Sequence, residues 1–439
     1  MRLFRFSSGV IFIALLSMLV SSCDAIDSFP STLVHKSTDT PTPGPSATLT
    51  FQPVSSQPGS QAATPGASRI FTIWLPPDLN PNGTSAASKL MAQRLNAFEQ
   101  QNTDFKLNIR IKNLAGPEGM LNTLSITRDA APLAMPSIIV LPQPDLETAV
   151  RKNLVYPVDS LPAIKNQADW YPYSQAMARV DQKWYGAPFS GDALILLYRG
   201  PQIIPSGTWD SILKSNQPVL FPAADPDALL PLSLYESLAG EIKAGSSPQP
   251  LQENELVKLF TFFQNAAHEG IFSFSLSQYE RYDQTWAAFA INQSHYVVTW
   301  ASTYITSGEP EDQPAPLPGL ANGPYTLATG SMFAISASDP ERQAVGLKLI
   351  DFLLEPGFLA QLNRATGSLP TRVSANSYPS DPRKQAFFDQ VCKSAHVQPV
   401  LPDSISLYGR VKEATIQVIR YQVTPQEAAN AVLNRPKSP

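Results

Sequence analysis

The period of apolar positions changes repeatedly along the chain after residue 69. Residues 70–75 form an apolar run of strand length, and Ser85 then opens a stretch in which Ala87, Met91, Leu95 and Phe98 recur on one helical face. Phe105, Leu107, Ile109 and Ile111 alternate with polar residues, which predicts a half-buried strand, while the unbroken run 138–141 predicts a fully buried one. Residues 256–267 and 344–354 carry helical periodicity, and residues 296–300 and 332–335 read as strands. Towards the end Val411, Ala414, Val418 and Tyr421 line one helical face, and Thr424-Pro425-Gln426-Glu427 combines a capping box with proline at the first helical position. No repeat of solenoid period is visible.

This alternation predicts an α/β fold, a mostly parallel sheet flanked by helices. In open sheets of that kind ligands bind beyond the carboxyl ends of strands. The loops 76–83 and 142–145 are therefore the first places to look for a site.

Composition bounds the possibilities. The 439 residues are 43% hydrophobic and 15% charged, enough to bury large cores, and residues 69–439 are about twice a typical domain, which predicts two lobes. With 36 acidic against 32 basic side chains the surface is mildly acidic, which argues against nucleic acid as a partner. Cys23 and Cys392 are the two cysteines, so a chain that begins at Cys23 with its thiol acylated has no internal disulfide.

The first residues carry their own signal. Arg2 and Arg5 precede an apolar stretch, residues 10–20, and the small pair Ser21-Ser22, the order of a secretory signal peptide. That stretch is shorter than the roughly 20 apolar residues that span a bilayer. A plain signal peptide accounts for these features equally well, but Cys23 directly after the small pair resembles the bacterial lipobox. The resemblance implies removal of residues 1–22, acylation of Cys23, and a cell-membrane anchor facing the periplasm or the exterior. A single acyl chain, at about 0.8 kcal/mol per buried methylene, anchors only marginally, so two or three chains are implied. Residues 23–68 then read as a disordered tether, crowded with Pro30, Pro41, Pro43, Pro45, Pro53, Pro58 and Pro65 and poor in apolar side chains. Whether spacer or glycosylated stalk, the tether brings no chemistry of its own.

A second resemblance lies in the folded part. The stretch Val180-Asp181-Gln182-Lys183-Trp184-Tyr185-Gly186-Ala187-Pro188-Phe189, followed by Ala193-Leu194-Ile195-Leu196-Leu197-Tyr198, resembles the central signature of the family 1 extracellular solute-binding proteins, the receptors of ABC importers for sugars. Thr208-Trp209-Asp210, Ala288-Phe289, Leu317-Pro318-Gly319, residues 329–335 and Gly367-Ser368-Leu369-Pro370-Thr371-Arg372 are similar to further landmarks of that family, in the same order. Ser137, Trp184 and Arg199 depart from it, standing where an aspartate, an aliphatic residue and an asparagine are usual. The resemblance implies a two-lobed periplasmic-binding-protein fold, each lobe a mostly parallel sheet with helices, joined by hinge strands. Carried onto this chain it gives one lobe from residues 69–192 with 325–372 and a second from 193–324 with 373–439. It also implies a small-molecule solute, most simply a carbohydrate, held between the lobes, and ABC permease subunits as partners.

Sugars offer apolar C–H faces and hydroxyls, so their sites pair aromatic rings with carboxylates and amides. Asp192 stands where the family places a carboxylate against sugar hydroxyls; its competing role is a cap or a hinge acceptor. Trp300, at a strand end, is the stacking candidate, followed by Ser302, Thr303 and Tyr304. Tyr408 stands where maltodextrin-type relatives put an aromatic over the ligand, or else packs within a lobe. Trp74, Gln143, Asp145 and Tyr235 lie on loops or element ends that face a cleft in this reading. Tyr185 and Trp209 read as structural.

Enzymatic readings find little support. His35, His268, His295 and His396 show no metal-ligand spacing, and neither a nucleophile elbow nor a phosphate-binding loop occurs. No cofactor is implied. A glycosidase needs only two carboxylates without a local motif, so a sugar hydrolase and a lipid-anchored sensor partner of the same fold stand as alternatives to the transport receptor.

Overall fold

The computed structural model describes residues 69–200, 209–242, 251–321, 323–378, 381–399 and 404–433. Cys23 and the rest of the leader and tether lie outside the described residues, as does Thr208 of the family landmarks. No described helix is long and apolar enough to cross a membrane.

The described residues form eleven strands, in chain order: β1 (Arg69–Leu75), β2 (Phe105–Ile111), β3 (Ile138–Pro142), β4 (Arg179–Val180), β5 (Lys183–Trp184), β6 (Ala187–Tyr198), β7 (Val219–Leu220), β8 (Tyr296–Trp300), β9 (Gln313–Pro316), β10 (Thr326–Ile335) and β11 (Ala395–Val397). Nine of them form one sheet in the order β2-β1-β3-β10-β6-β8-β7, with β11 beside β10 and β9 beside β6; β4 and β5 make a separate hairpin.

The expected elements at the start are present. Ser85 caps the helix Ala86–Gln101, its hydroxyl accepting Ser88 N–H at 3.0 Å, and Ala87, Met91, Leu95 and Phe98 are buried. The run 138–141 is fully buried in the sheet interior, as an unbroken apolar strand requires. Two expectations shift. Residues 142–145 are no loop, because the helix Gln143–Arg151 starts directly after β3 with Pro144 in its first turn. Tyr421 does not join the buried face of Val411, Ala414 and Val418: the helix Ser404–Ile419 has already ended, and Tyr421 turns left-handed and outward.

The sheet is mixed rather than mostly parallel. β1 runs parallel to β2 and β3, and β7 parallel to β8, as βαβ crossovers demand. β10 is antiparallel to β3 and β6, and β6 is antiparallel to β8 and β9. The physical reason is the path of the chain. It leaves the β1-β2-β3 flank along β6 and comes back along β10, and an outward and a return strand side by side must oppose each other. β6 thus pairs with β10 over its first half and with β8 and β9 over its second.

Where these two long strands meet, side chains give way. Gly191 on β6 lies opposite Gly330 on β10. A β-carbon on Gly191 would stand 2.1 Å from the hydroxyl of buried Tyr173, and one on Gly330 would stand 2.3 Å from the Ser190 carbonyl. Close backbone approach, rather than an unusual φ, requires glycine here. Leu369, just after the helix Pro356–Thr366, joins them, exchanging both backbone hydrogen bonds with Gly191 at 2.7 and 3.0 Å.

The helix Pro340–Leu353 lies over the β1-β3-β10 flank, with Gly346 facing Ile335, Ile138 and Phe71. The helices Ser404–Ile419 and Pro425–Leu433 pack on Glu253–His268. The expected capping box forms in full: Glu427 accepts from Thr424 N–H at 2.8 Å and donates its own N–H to the Thr424 hydroxyl at 3.2 Å.

Gly191→Ala is expected to overpack the strand junction and lower stability by about 1–3 kcal/mol, the usual cost of a forced extra carbon. The urea unfolding midpoint of the variant against the parent measures it, and equal midpoints would mean that Tyr173 moves aside freely.

Candidate functional site

β7 and β8 are parallel neighbours, with Val219 beside Tyr296 and Leu220 beside Val297, so their carboxyl ends open side by side. The loop 221–228 leaves β7 beside residue 297 and is held by the Leu276 and Tyr279 carbonyls, which accept Ala223 N–H at 3.2 Å and Ala224 N–H at 3.0 Å. Asp192 reaches the end of β8 from β6, where Leu194 pairs with Trp300, the residue before the helix Ala301–Ser307. The Asp192 carboxylate accepts Ser302 N–H at 3.0 Å, the Ser302 hydroxyl, and Ala193 N–H at 2.9 Å. It thus sits on the first amides of a helix, where orphan N–H groups and the helix dipole favour a negative charge. Burial nevertheless outweighs these bonds and raises its pKa to about 6.

Trp300 is partly buried, and its ring meets Tyr282 edge-on at 5.7 Å. Thr303 and Tyr304 follow on the first turns of the helix, both partly exposed. Tyr304 lies at right angles to Phe387, 6.3 Å between ring centres, with the Lys384 ammonium 5.2 Å from its centre. Asp192, Trp300, Thr303 and Tyr304 are therefore brought together, with Ser302 joining them to β6.

The remaining candidates are placed differently. Gln143 is buried at the start of its helix, and its amide nitrogen reaches the Gln398 carbonyl at 3.4 Å; Gln398 N–H in turn bonds Ala328 O on β10, whose partner on β6 is Ala193. This chain of contacts carries Gln143 towards the Asp192 junction. Asp145 is partly exposed in the same first turn, and burial raises its pKa. Trp74 lies within β1 rather than on a loop and is buried, with the Lys112 ammonium 5.6 Å from its ring centre. Tyr235 is in the middle of the buried helix Leu229–Ala239, where its hydroxyl accepts Gln252 N–H at 2.8 Å. Tyr408 is buried, with its hydroxyl donating to the Pro399 carbonyl. All three side chains are buried; the hydroxyls of Tyr235 and Tyr408 bond the backbone, whereas the indole N–H of Trp74 has no hydrogen-bond partner among the described residues.

Asp225 and Asp227 escape sequence reading because β7 is only Val219–Leu220, too short for periodicity to reveal the loop that follows it. Asp225 is buried and caps the next helix, accepting Leu229 N–H at 3.0 Å and Asp227 N–H at 3.1 Å, while Asp227 is exposed. Burial raises the Asp225 pKa to about 6. The pattern Asp225-Pro226-Asp227 after a two-residue apolar run was the available signal.

Tyr185 is partly buried against the core, and Trp209 is buried, with its indole N–H on Pro318 O at 2.9 Å. Two of the recognised landmarks thus hold each other. Arg199 pairs with Asp312, whose side chain is completely buried, and donates to Asn292 at 2.9 Å. The carboxylate explains why a cation can stand at this position.

Residues 93–386 match the family model described as bacterial extracellular solute-binding protein. Among solved structures, a cyclo/maltodextrin-binding protein complexed with maltotetraose is 17% identical, with TM-score 0.68 over 84% of this chain and 96% of that one. The maltose-binding periplasmic protein MalE from Listeria monocytogenes in complex with maltose is 14% identical, with TM-score 0.67 over 83% and 96%. The sugar-binding protein MalE from Xanthomonas citri is 17% identical, with TM-score 0.65 over 83% and 95%. No curated protein matches the sequence.

The raised pKa of Asp192 gives a signed prediction. Its folded value, about 6, lies above the ordinary 3.8, so between these values the folded chain keeps a proton that the unfolded chain has lost. Its contribution to stability is greatest below the unfolded value and declines as pH rises through about 6. Asp192→Asn should flatten the fall of Tm across that window relative to the parent and leave Tm at pH 7 equal or higher. Scanning calorimetry across the window measures this, and parallel profiles would assign the titration to other carboxyls such as Asp225.

Proposed function

The chain belongs to the bacterial extracellular solute-binding protein family, and on that premise we propose that it is the receptor of an ABC importer, capturing a sugar or oligosaccharide between its two lobes and delivering it to the permease. The observation that carries the sugar reading is the convergence of an aromatic, a carboxylate and hydroxyls where the middle of β6 meets the end of β8: Trp300, Asp192, Ser302, Thr303 and Tyr304. Trp300 supplies the apolar face on which a pyranose stacks, and the polar groups beside it take hydroxyls. The named ligands of the structural neighbours, maltose and maltotetraose, support the same class of solute.

In this reading the lobes comprise residues 69–192 with 325–372 and residues 193–324 with 373–439. The chain crosses between them along β6, at the start of β10, and after Arg372. Solute contacts from both lobes favour the closed form, and only that difference in affinity drives closure. The chemistry is binding, with no bond made or broken. Delivery requires the receptor to stay at the membrane, which the acylated Cys23 and the tether to residue 68 provide.

Two measurements test the proposal. Isothermal titration with maltose to maltotetraose is expected to show saturable binding, weakened at least about tenfold, or roughly 1.4 kcal/mol, in Trp300→Ala. Titration curves that coincide for parent and variant would move the site elsewhere. Labelled palmitate should enter the full chain in a bacterial host and not Cys23→Ser; equal labelling of both would remove the anchor.

A further inference from the structure

The helices Glu253–His268 and Ser404–Ile419 end in the same motif with different residues. After Glu253–His268, Gly270 N–H donates to Ala267 O at 3.0 Å and Ile271 N–H to Ala266 O at 2.8 Å, with Gly270 at φ 74°. After Ser404–Ile419, Tyr421 N–H donates to Val418 O at 3.0 Å and Gln422 N–H to Gln417 O at 2.9 Å. Both are Schellman turns, which satisfy the last carbonyls and put one residue into the left-handed region. The first helix fills that slot with glycine. The second fills it with Tyr421 at φ 57°, where a β-carbon is strained and glycine would stop the helix at lower cost. Helix termination therefore does not account for the tyrosine, and its ring is not buried in the core, being 55% exposed.

The two turns line one cavity of about 540 Å³, within the roughly 300–1,000 Å³ of small-molecule sites. Phe272 and Ile419 are its buried lining, and Phe274, 68% exposed, shares the opening with Tyr421. Two exposed aromatic rings around one concavity are an unusual use of surface, and a strained non-glycine residue among them points to a role beyond folding. Ser273 and Arg420 provide the polar side chains. Arg420 is the only charged residue in the lining; one of its nitrogens donates to the Ser277 hydroxyl at 2.7 Å, and a guanidinium carries five N–H donors in all.

We propose that this cavity is a second small-molecule site, separate from Asp192 and Trp300, for a flat apolar ligand carrying an anionic group. Tyr421 and Phe274 hold the apolar face and Arg420 pairs with the anion. A neutral sugar fits the lining less well, because a ring of hydroxyls would find only Ser273 and Arg420 among side chains that are otherwise apolar.

The test is a fluorescence titration of the full chain with 8-anilinonaphthalene-1-sulfonate, a planar aromatic anion, against the uncharged N-phenyl-1-naphthylamine. Saturable binding of one sulfonate per chain is expected, tighter than that of the uncharged dye. Tyr421→Asn removes the ring while keeping a residue that accepts the left-handed region. It should weaken sulfonate binding at least about tenfold with Tm unchanged or raised. Arg420→Gln should erase the preference for the anion, and Trp300→Ala should leave binding as it is. The proposal is overturned if Tyr421→Asn binds the sulfonate as tightly as the parent, if its Tm falls and shows the ring to be packing, if both dyes bind alike, or if maltotetraose displaces the sulfonate.

Discussion

The opposed passage of β6 and β10 through one sheet is the constraint from which the rest of the molecule follows. Each strand pairs with partners on both sides of the junction, so the β1-β2-β3 flank and the β7-β8 flank are continuous through them. The strands come close because Gly191 faces Gly330, with the Tyr173 hydroxyl occupying the space that a side chain would need. Tyr173 is fixed in turn by its bond to Pro370 O at 2.8 Å. Residues 369–371 are held to the same spot: Leu369 pairs with Gly191, and the Thr371 hydroxyl donates to Pro188 O at 3.0 Å.

The site is a consequence of this geometry. Asp192 is next to Gly191 on β6, and its carboxylate spans to the first amides of the helix after β8. The carboxylate proposed above to meet solute is therefore also the one that positions the helix. Its raised pKa records the balance, since the hydrogen bonds recover only part of the hydration lost on burial. Trp300, one residue before the helix, is held next to it.

Buried ion pairs lock the two ends of the junction. Arg372, the last residue of one family landmark, pairs with Asp169 at 2.6 Å, donates to the Leu354 carbonyl at 2.5 Å and lies over the Trp170 ring. Arg199, at the far end of β6, pairs with Asp312 and lies over Phe289. Such pairs add little net stability but are costly to break by halves, so they specify arrangement more than they strengthen it. Glu236 is a buried carboxylate bonded by neutral donors instead: it accepts the Tyr325 hydroxyl at 2.8 Å just before β10 and Ile242 N–H at 3.1 Å, and burial raises its pKa to about 7.

The sequence by itself determined the elements with strong local signals. The amphipathic face from Ala87 to Phe98, the buried run 138–141 and the capping box at Thr424 were legible because capping and periodicity act within a few residues, whereas the collinear landmarks around Trp184 and Arg372 were legible only through family resemblance. Candidate residues on β6 and after β8 were legible through family resemblance. Only the tertiary structure decided that the central strands are antiparallel, because strand direction depends on where the chain returns and not on side-chain alternation. It alone showed Trp74, Tyr235 and Tyr408 to be engaged in packing, since an aromatic at a strand or helix position reads the same whether it faces a core or a cleft. It alone showed Asp225 buried as the cap of the helix Leu229–Ala239, because a two-residue strand leaves no period to read, and it turned Tyr421 outward, because the left-handed turn that ends a helix is normally announced by a glycine this chain does not have there.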